Sequence, residues 1–474
     1  MSQAASKKQE GHQTQVSGNP YTRRIAQFVS GLTYEKIPQE VRDRIKLLIL
    51  DSLGCGIYGS TKEHSQIQIN ALSRADTSKA CGIWGTDKRM SAPHAALVNG
   101  TLIQGFELDD IHRHGALHLA ATTLSAIAAV AEDRSSMSGR QFMTAAVAGY
   151  EVGPRVGICM GPAHLGDGWH AGATVGVFAG GSAAASALRL SEQKTVHALG
   201  IAGTQACGLM AAQYGSMVKR MQHAKAAQSG IYGGLLAEAG YTGIENVFES
   251  EYGGFCTTFS GSKNRFSMPE LTHDLGERWE TMRDSLKFYS CAASNHTVLD
   301  ALGIMRARHP FTADDVERIV VHGSQVTKDH VFWKYEPGGV TNAQFCMPYV
   351  VATYLLEGDY FVDQVRDDML ADPERIRHSH KVDFIAEPEI TAMNLRYYVR
   401  VEVFLKNGTR LEETVQDQRG SETRFASEAD VVDKFEKLVK HVFPDRQVAA
   451  IRDTVLGLDK VDNASKLTRL LVVQ

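Results

Sequence analysis

A chain of 474 residues, 43% hydrophobic and 22% charged, is globular in composition and too long for one ordinary core, so two or three domains are expected. A formal net charge of −4 leaves no basic footprint for nucleic acid. Seven cysteines, odd in number and scattered without a CxxC pair, argue for a reducing compartment over a disulfide framework. The apolar stretches are Ala- and Gly-rich and interrupted, short of the roughly 18–20 residues that cross a membrane.

Residues 1–19 are polar and lack an apolar h-region, which reads as a disordered tail without a secretory signal; an intracellular location, cytoplasmic or mitochondrial, is expected. From Pro20, RRIAQFVSGL and IPQEVRDRIKLLILDSLGCGIYGS place apolar residues at i, i+3, i+4 and predict a helical hairpin. SAPHAALV then leads into Asn99–Glu132, where Glu107, Asp109, Asp110, His112, His114 and His118 crowd together before a small-residue apolar helix. Burial can tune such acids and bases toward neutrality, which proton-transfer catalysis requires. Other readings stay open. The cluster could be solvated charge, its histidines could be satisfied core residues, or the HxH and HxxxH spacing could suit a metal, although no second pair such as HExxH accompanies it. The spacing of Leu124, Ile127, Ala128 and Ala131 puts His118 at a helix start.

Gly139–Val156 predicts another helix. From Gly166 the chain is rich in small residues, and Gly172, Gly176 and Gly180 recur every four, so one helix face can lie against a neighbouring backbone. His170 opens this segment; it is either a packing residue or one whose pKa the helix N-terminus lowers, helping to hold an anion. In residues 203–243, Lys219, Arg220, His223 and Lys225 stand between apolar segments. Ordinary surface charge is the stronger reading for Arg220 and Lys225, less so for Lys219.

A polar, proline-containing connection follows residue 265, and strand-like runs appear: Val316–Val321, then YYVRVEVFLKNGTRLEETV with an Asn407-Gly408 turn. The helix YVVATYLLEGD lies between them, and residues 429–474 return to helical periodicity. The expected architecture is mostly α with an inserted α+β domain. Its parts are a tail at 1–19, a helical domain at 20–269, a smaller domain at 270–415, and a return to the helical domain at 416–474. No Walker loop, GxGxxG after a strand, GxSxG elbow or HExxH occurs, which leaves cofactor-free proton transfer on a polyanionic substrate.

Six segments taken together, NGTLIQGFELDD with its following His, GWHAGATVG, CGLMAAQYGSMVKRMQHAKAAQSG, EYGGF, LKFYSCAASNH and AQFCMPY, resemble the MmgE/PrpD family. That family includes 2-methylcitrate dehydratases, cis-aconitate decarboxylases and iminodisuccinate epimerases; the likeness spans about residues 20–470 and is nearest to the fungal cis-aconitate decarboxylases. It implies a large helical domain built from both chain ends, a smaller inserted lid domain, a homodimer and an active site at the boundary of the two domains; no cofactor or metal is expected. The matching positions are Glu107, Asp109 and Asp110 for the acidic run, His118 for the catalytic-loop histidine, and His170 and Lys219 for the GWH and MVKR motifs. Lys287, Tyr349 and His296 match the lid lysine, the lid tyrosine and the end of KFYSCAASNH. Three positions depart from animal decarboxylases: Ala292 stands for a His, Glu107 for an Asp, and Ile111 for a Thr.

Three carboxylates cannot be desolvated without charge-assisted partners. Lys219, Lys287, His170, Arg113 and His112 are the residues considered for this, with His118 moving the proton and an Asp of the ELDD run orienting it. The resemblance thus implies a lyase for citrate-derived tricarboxylates that decarboxylates cis-aconitate or an alkylated relative; an alkylcitrate dehydratase, a dicarboxylate epimerase and an inactive binding protein on the same fold are the alternatives.

Overall fold

The computed structural model describes residues 20–393 and 395–473; the tail expected at 1–19 lies outside them. The helical domain opens with α1 (Tyr21–Gly31), α2 (Gln39–Gly59), α3 (Glu63–Ala75) and α4 (Ala92–Ile103). After the acidic and histidine-rich loop come α5 (Leu119–Arg134) and α6 (Gly139–Gly166). Gly161, at φ +67° and followed by Pro162, breaks α6, because its backbone conformation is left-handed and the proline ring cannot continue a helix. Next are α7 (Ala171–Thr174), α8 (Gly176–Ala187), α9 (Glu192–Gly203) and α10 (Val218–Glu238). The small-residue face does bring backbones together: a Cβ on Gly230 would lie 2.3 Å from the carbonyl carbon of Gly180, so α8 and α10 touch main chain to main chain.

The smaller domain holds α11 (Ala293–Arg308), α12 (Met347–Glu357) and a four-stranded sheet of β1 (Val316–Gly323), β2 (Val382–Ala386), β3 (Val399–Leu405) and β4 (Arg410–Val415). Strand order is β2-β1-β3-β4, with β1 and β2 parallel and the other pairs antiparallel. The Asn407-Gly408 turn joins β3 to β4, with Gly408 at φ +86°. Val399, Val401 and Val403 point to the buried face and pack with Val316, Ile319 and the apolar side of α11 and α12. The strand β2 was not anticipated; its five residues alternate buried and exposed too briefly for periodicity to find them.

The chain returns to the first core with α13 (Glu428–Val439) and α14 (Asp445–Leu456). Leu271, Leu286 and Phe288 also belong to that core, so the crossing between the two cores comes near Ser290–Cys291 and not at 270. The proline and polar residues after 265 mark a surface connection within the helical domain, not its end. Lys434 of α13 reaches back through the core. Its Nζ lies 2.6 Å from Asp51 Oδ1 of α2 and donates to the Leu108 carbonyl at 2.7 Å, which holds the acidic loop from behind.

Candidate active site

The loop between α4 and α5 meets α10 and the Lys287 segment at one buried point. Glu107 sits there at φ +62°, a left-handed conformation uncommon for a residue with a side chain. Its Oε1 accepts from Lys219 Nζ and from Arg220 Nη1 at 2.6 Å, while Oε2 accepts from Lys287 Nζ at 3.2 Å. Burial would raise the Glu107 pKa, but Lys219, Lys287 and Arg220 overcome it and hold the carboxyl well below its usual range. With Asp109 Oδ1 4.0 Å from Lys287 Nζ, two carboxylates face three cations, and positive charge is left in excess. Burial also lowers Lys219 to about 8, with Arg220 adding to the effect. Lys287, only 2% exposed, is instead raised, because Glu107 and Asp109 outweigh its burial.

His118 stands beside this cluster, immediately before α5. Its Nδ1 is 2.6 Å from the Asp110 carbonyl oxygen and 3.0 Å from Asp109 Oδ2. A carbonyl only accepts, so Nδ1 carries a proton and Nε2 is the atom free to gain or lose one. The Asp109 carboxyl is buried, which would raise its pKa, but the charge and hydrogen bonding of His118 lower it, so it stays ionised behind the imidazole. Asp110 has a different task. Its Oδ2 accepts from the Ala120 N–H at 2.9 Å and from Tyr150 Oη at 3.0 Å, tying the loop to the first turn of α5. Burial and the nearby Asp109 push Asp110 up to about 6.

His170 Nδ1 donates to Gln222 Oε1 at 2.5 Å, and the imidazole is lowered to about 4. Burial is the main cause, in place of the helix N-terminus considered from sequence; α7 has only four residues. His223 lies between the two histidines, with ring centroids 4.9 Å from His118 and 4.7 Å from His170, both edge to face. It is fully buried, neither ring nitrogen has a hydrogen-bond partner, and burial keeps it neutral.

The structure therefore gathers Glu107, Asp109, His118, Lys219 and Lys287, with His170 one ring away. It places the other expected residues elsewhere. Arg113 is paired to Asp417 at 2.9 Å and Glu422 at 2.7 Å, so its charge is already neutralised and cannot clamp a substrate. His112 Nε2 faces Glu280 at 3.1 Å and its Nδ1 accepts from the Gly115 N–H, a structural role inside the core. Tyr349 donates to the Met369 carbonyl at 3.0 Å and stacks on Tyr335 within the smaller domain. His296 is packed behind Lys287, its Nε2 against the Cys291 carbonyl at 3.4 Å. The surface-charge reading of Arg220 fails because Glu107 takes it into the interior. Gln344 was not singled out, and His223 was named only in the charged group of residues 203–243, with no role. His223 is four residues after Lys219 and so on the same helix face, a signal that spacing did offer. Gln344 bridges the domains, donating to the Phe106 carbonyl at 2.7 Å and Ser290 Oγ at 3.0 Å; only the AQF motif pointed to it.

The HxH spacing does not make a metal site, since His112 and His114 turn to Glu280 and Glu422. Among the described residues, Asp109, Asp110 and His118 do bring three ligand atoms within 4.8 Å of one another. Two of those groups are committed to each other and the third to the α5 terminus and Tyr150. No helix among the described residues is long and apolar enough to cross a membrane.

An aspartate-backed histidine next to a carboxylate ringed by cations is an arrangement suited to moving a proton at a carbon flanked by carboxylates. The chain belongs to the MmgE/PrpD family: its N-terminal domain model matches residues 23–267 and its C-terminal domain model residues 289–460. Similar proteins include a cis-aconitate decarboxylase-like protein of Aspergillus oryzae, 34% identical over 95% of this chain and 97% of the relative. A cis-aconitate decarboxylase of Aspergillus terreus is 33% identical over 95% of both chains, and that of Mus musculus is 27% identical over 95% of this chain and 93% of its own.

Proposed function

We propose that the protein is a cofactor-independent lyase that decarboxylates cis-aconitate, or an alkyl-substituted aconitate, to an itaconate-type product. The observation that carries this reading is the Glu107 carboxylate inside Lys219, Arg220 and Lys287, with the free Nε2 of His118 alongside. The excess cations take up substrate carboxylates as water is expelled. Protonated His118 gives its Nε2 proton to an alkene carbon. The bond to the departing carboxylate breaks, and its electron pair becomes the new double bond as CO2 leaves. Asp109 stabilises the imidazolium before transfer and keeps Nδ1–H in place after it. The likeness to cis-aconitate decarboxylases supports this chemistry over dehydration of an alkylcitrate, for which the same acids and bases would serve.

Proton NMR of the purified protein with cis-aconitate and, separately, with 2-methylcitrate tests the reading. Itaconate methylene signals with CO2 release are expected from the first. Loss of the citrate hydroxyl group without any decarboxylation would overturn it in favour of a dehydratase. The proposed chemistry needs no metal, so exhaustive chelation should leave turnover intact; loss of activity restored by zinc, iron or manganese would place an ion at Asp109, Asp110 and His118. We also propose a homodimer. The exposed apolar side chains Leu209, Met217, Val218, Leu236, Tyr241 and Ile244, in and around α10, support it. The seven free cysteines support an intracellular, cytoplasmic or mitochondrial, setting.

A further inference from the structure

The smaller domain brings one more cation toward the Glu107 centre. Arg396, in the connection before β3, is half-buried, and among the described residues no carboxylate lies within ion-pair distance of it. Its Nη2 donates to His330 Nδ1 at 2.8 Å, and its Nε is buried without a partner. Thr327 Oγ1 donates to the Arg396 carbonyl and fixes the backbone there. A guanidinium can only donate, so His330 Nδ1 is the lone-pair atom and its proton sits on Nε2. Burial, with Arg396 and Lys219 adding to it, holds His330 down to about 3, so the ring is neutral and the arginine charge is not shared. Phe345 links this pair to the catalytic centre. Lys219 Nζ lies 4.6 Å from the Phe345 ring centroid, and the His330 ring meets the same phenyl edge to face at 5.6 Å. A partly desolvated arginine without a counter-ion, one aromatic ring away from a site with excess positive charge, is an arrangement that an anion completes.

We propose that Arg396 and the Nε2–H of His330 form an outer carboxylate subsite, which binds a carboxylate of the substrate that the Glu107 centre does not engage and so selects tricarboxylates over dicarboxylates. The inference rests on the reading of the substrate as a polycarboxylate given above. It differs from that reading in naming which residues count the carboxylates.

Calorimetric binding of propane-1,2,3-tricarboxylate and of glutarate, the same carbon chain without the central carboxylate, separates the two ideas without needing turnover. The full-length protein is expected to prefer the tricarboxylate. R396Q should weaken tricarboxylate binding by about tenfold or more, the loss of one charge-assisted contact, and change glutarate binding by less than about twofold. R396M, of similar length and without charge, should give the same pattern, and either variant decides once its melting curve matches that of the parent. Equal losses for both ligands, or a preference for the tricarboxylate kept in the variants, would overturn the subsite and leave the function standing. A parent protein that binds neither acid would overturn the polycarboxylate reading itself, and the subsite with it.

Discussion

His118 and His170 both meet the His223 ring edge to face but in unequal surroundings, and that inequality divides the roles proposed for them. His118 has an ionised aspartate at 3.0 Å and is 14% exposed at its side chain, whereas burial keeps His170 neutral down to about 4. His118→Ala is therefore expected to lower kcat by about 10²-fold or more with KM little changed, the usual yield of general acid–base catalysis. Steady-state kinetics on folded variants checks this. Near-normal turnover in His118→Ala together with abolished turnover in His170→Ala would move the proton to the second ring. Lys219 sets a second expectation. A lysine is charged below its pKa and neutral above it, so with Lys219 lowered to about 8 a clamp charge is lost as pH rises through that value. The ratio kcat/KM, which reports the free enzyme, should fall on an alkaline limb near pH 8. Lys219→Arg should carry that limb upward, and a limb that stays in place would assign it to another group.

At the scale of elements, close backbone approach decides where the histidines stand. A Cβ on Gly172 of α7 would lie 1.5 Å from His223 Nε2, so only a glycine leaves room for that ring between His118 and His170. Gly172→Ala should displace His223 and cost about 1–3 kcal/mol of stability through overpacking. Turnover should drop as well, although no residue of the Glu107 cluster changes. Denaturant unfolding and kcat measured together check it, and unaltered values of both would show that α7 shifts freely. The glycine spacing at 172, 176 and 180 was legible in the sequence, as was the helix start at His118, because both are periodic and local. What it packs against was not. The pairing of Arg220 with Glu107, or of Arg113 with Asp417 and Glu422, joins residues more than a hundred positions apart, and charge alone looks the same on a surface as in a core. The strands of the smaller domain could be read from β-branched alternation and an Asn-Gly turn, whereas β2 and the two-residue bridge of Ile111–His112 with Asp284–Ser285 offer too few residues for any period to emerge.

For the molecule as a whole, the ion pair of Lys434 with Asp51 joins α13 to α2, on either side of the smaller domain in sequence, beneath the acidic loop. Both partners are buried, so Lys434→Met leaves an uncompensated carboxylate and should cost about 3–5 kcal/mol. The double variant Asp51→Asn with Lys434→Met should recover much of that loss, and thermal unfolding of the three variants measures it. A double variant no more stable than Lys434→Met would show that the bond to the Leu108 carbonyl matters more than the charge. The same lysine also fixes an order of events during synthesis. Glu107, Asp109 and His118 leave the ribosome early, but the side chain that braces Leu108 between them is made more than three hundred residues later. The whole smaller domain is translated in the interval, and domains fold as they emerge. The loop must therefore wait without this brace at Leu108 while a second domain folds beside it. Nascent chains arrested before residue 434 should display a folded smaller domain and an acidic loop still without its brace at Leu108.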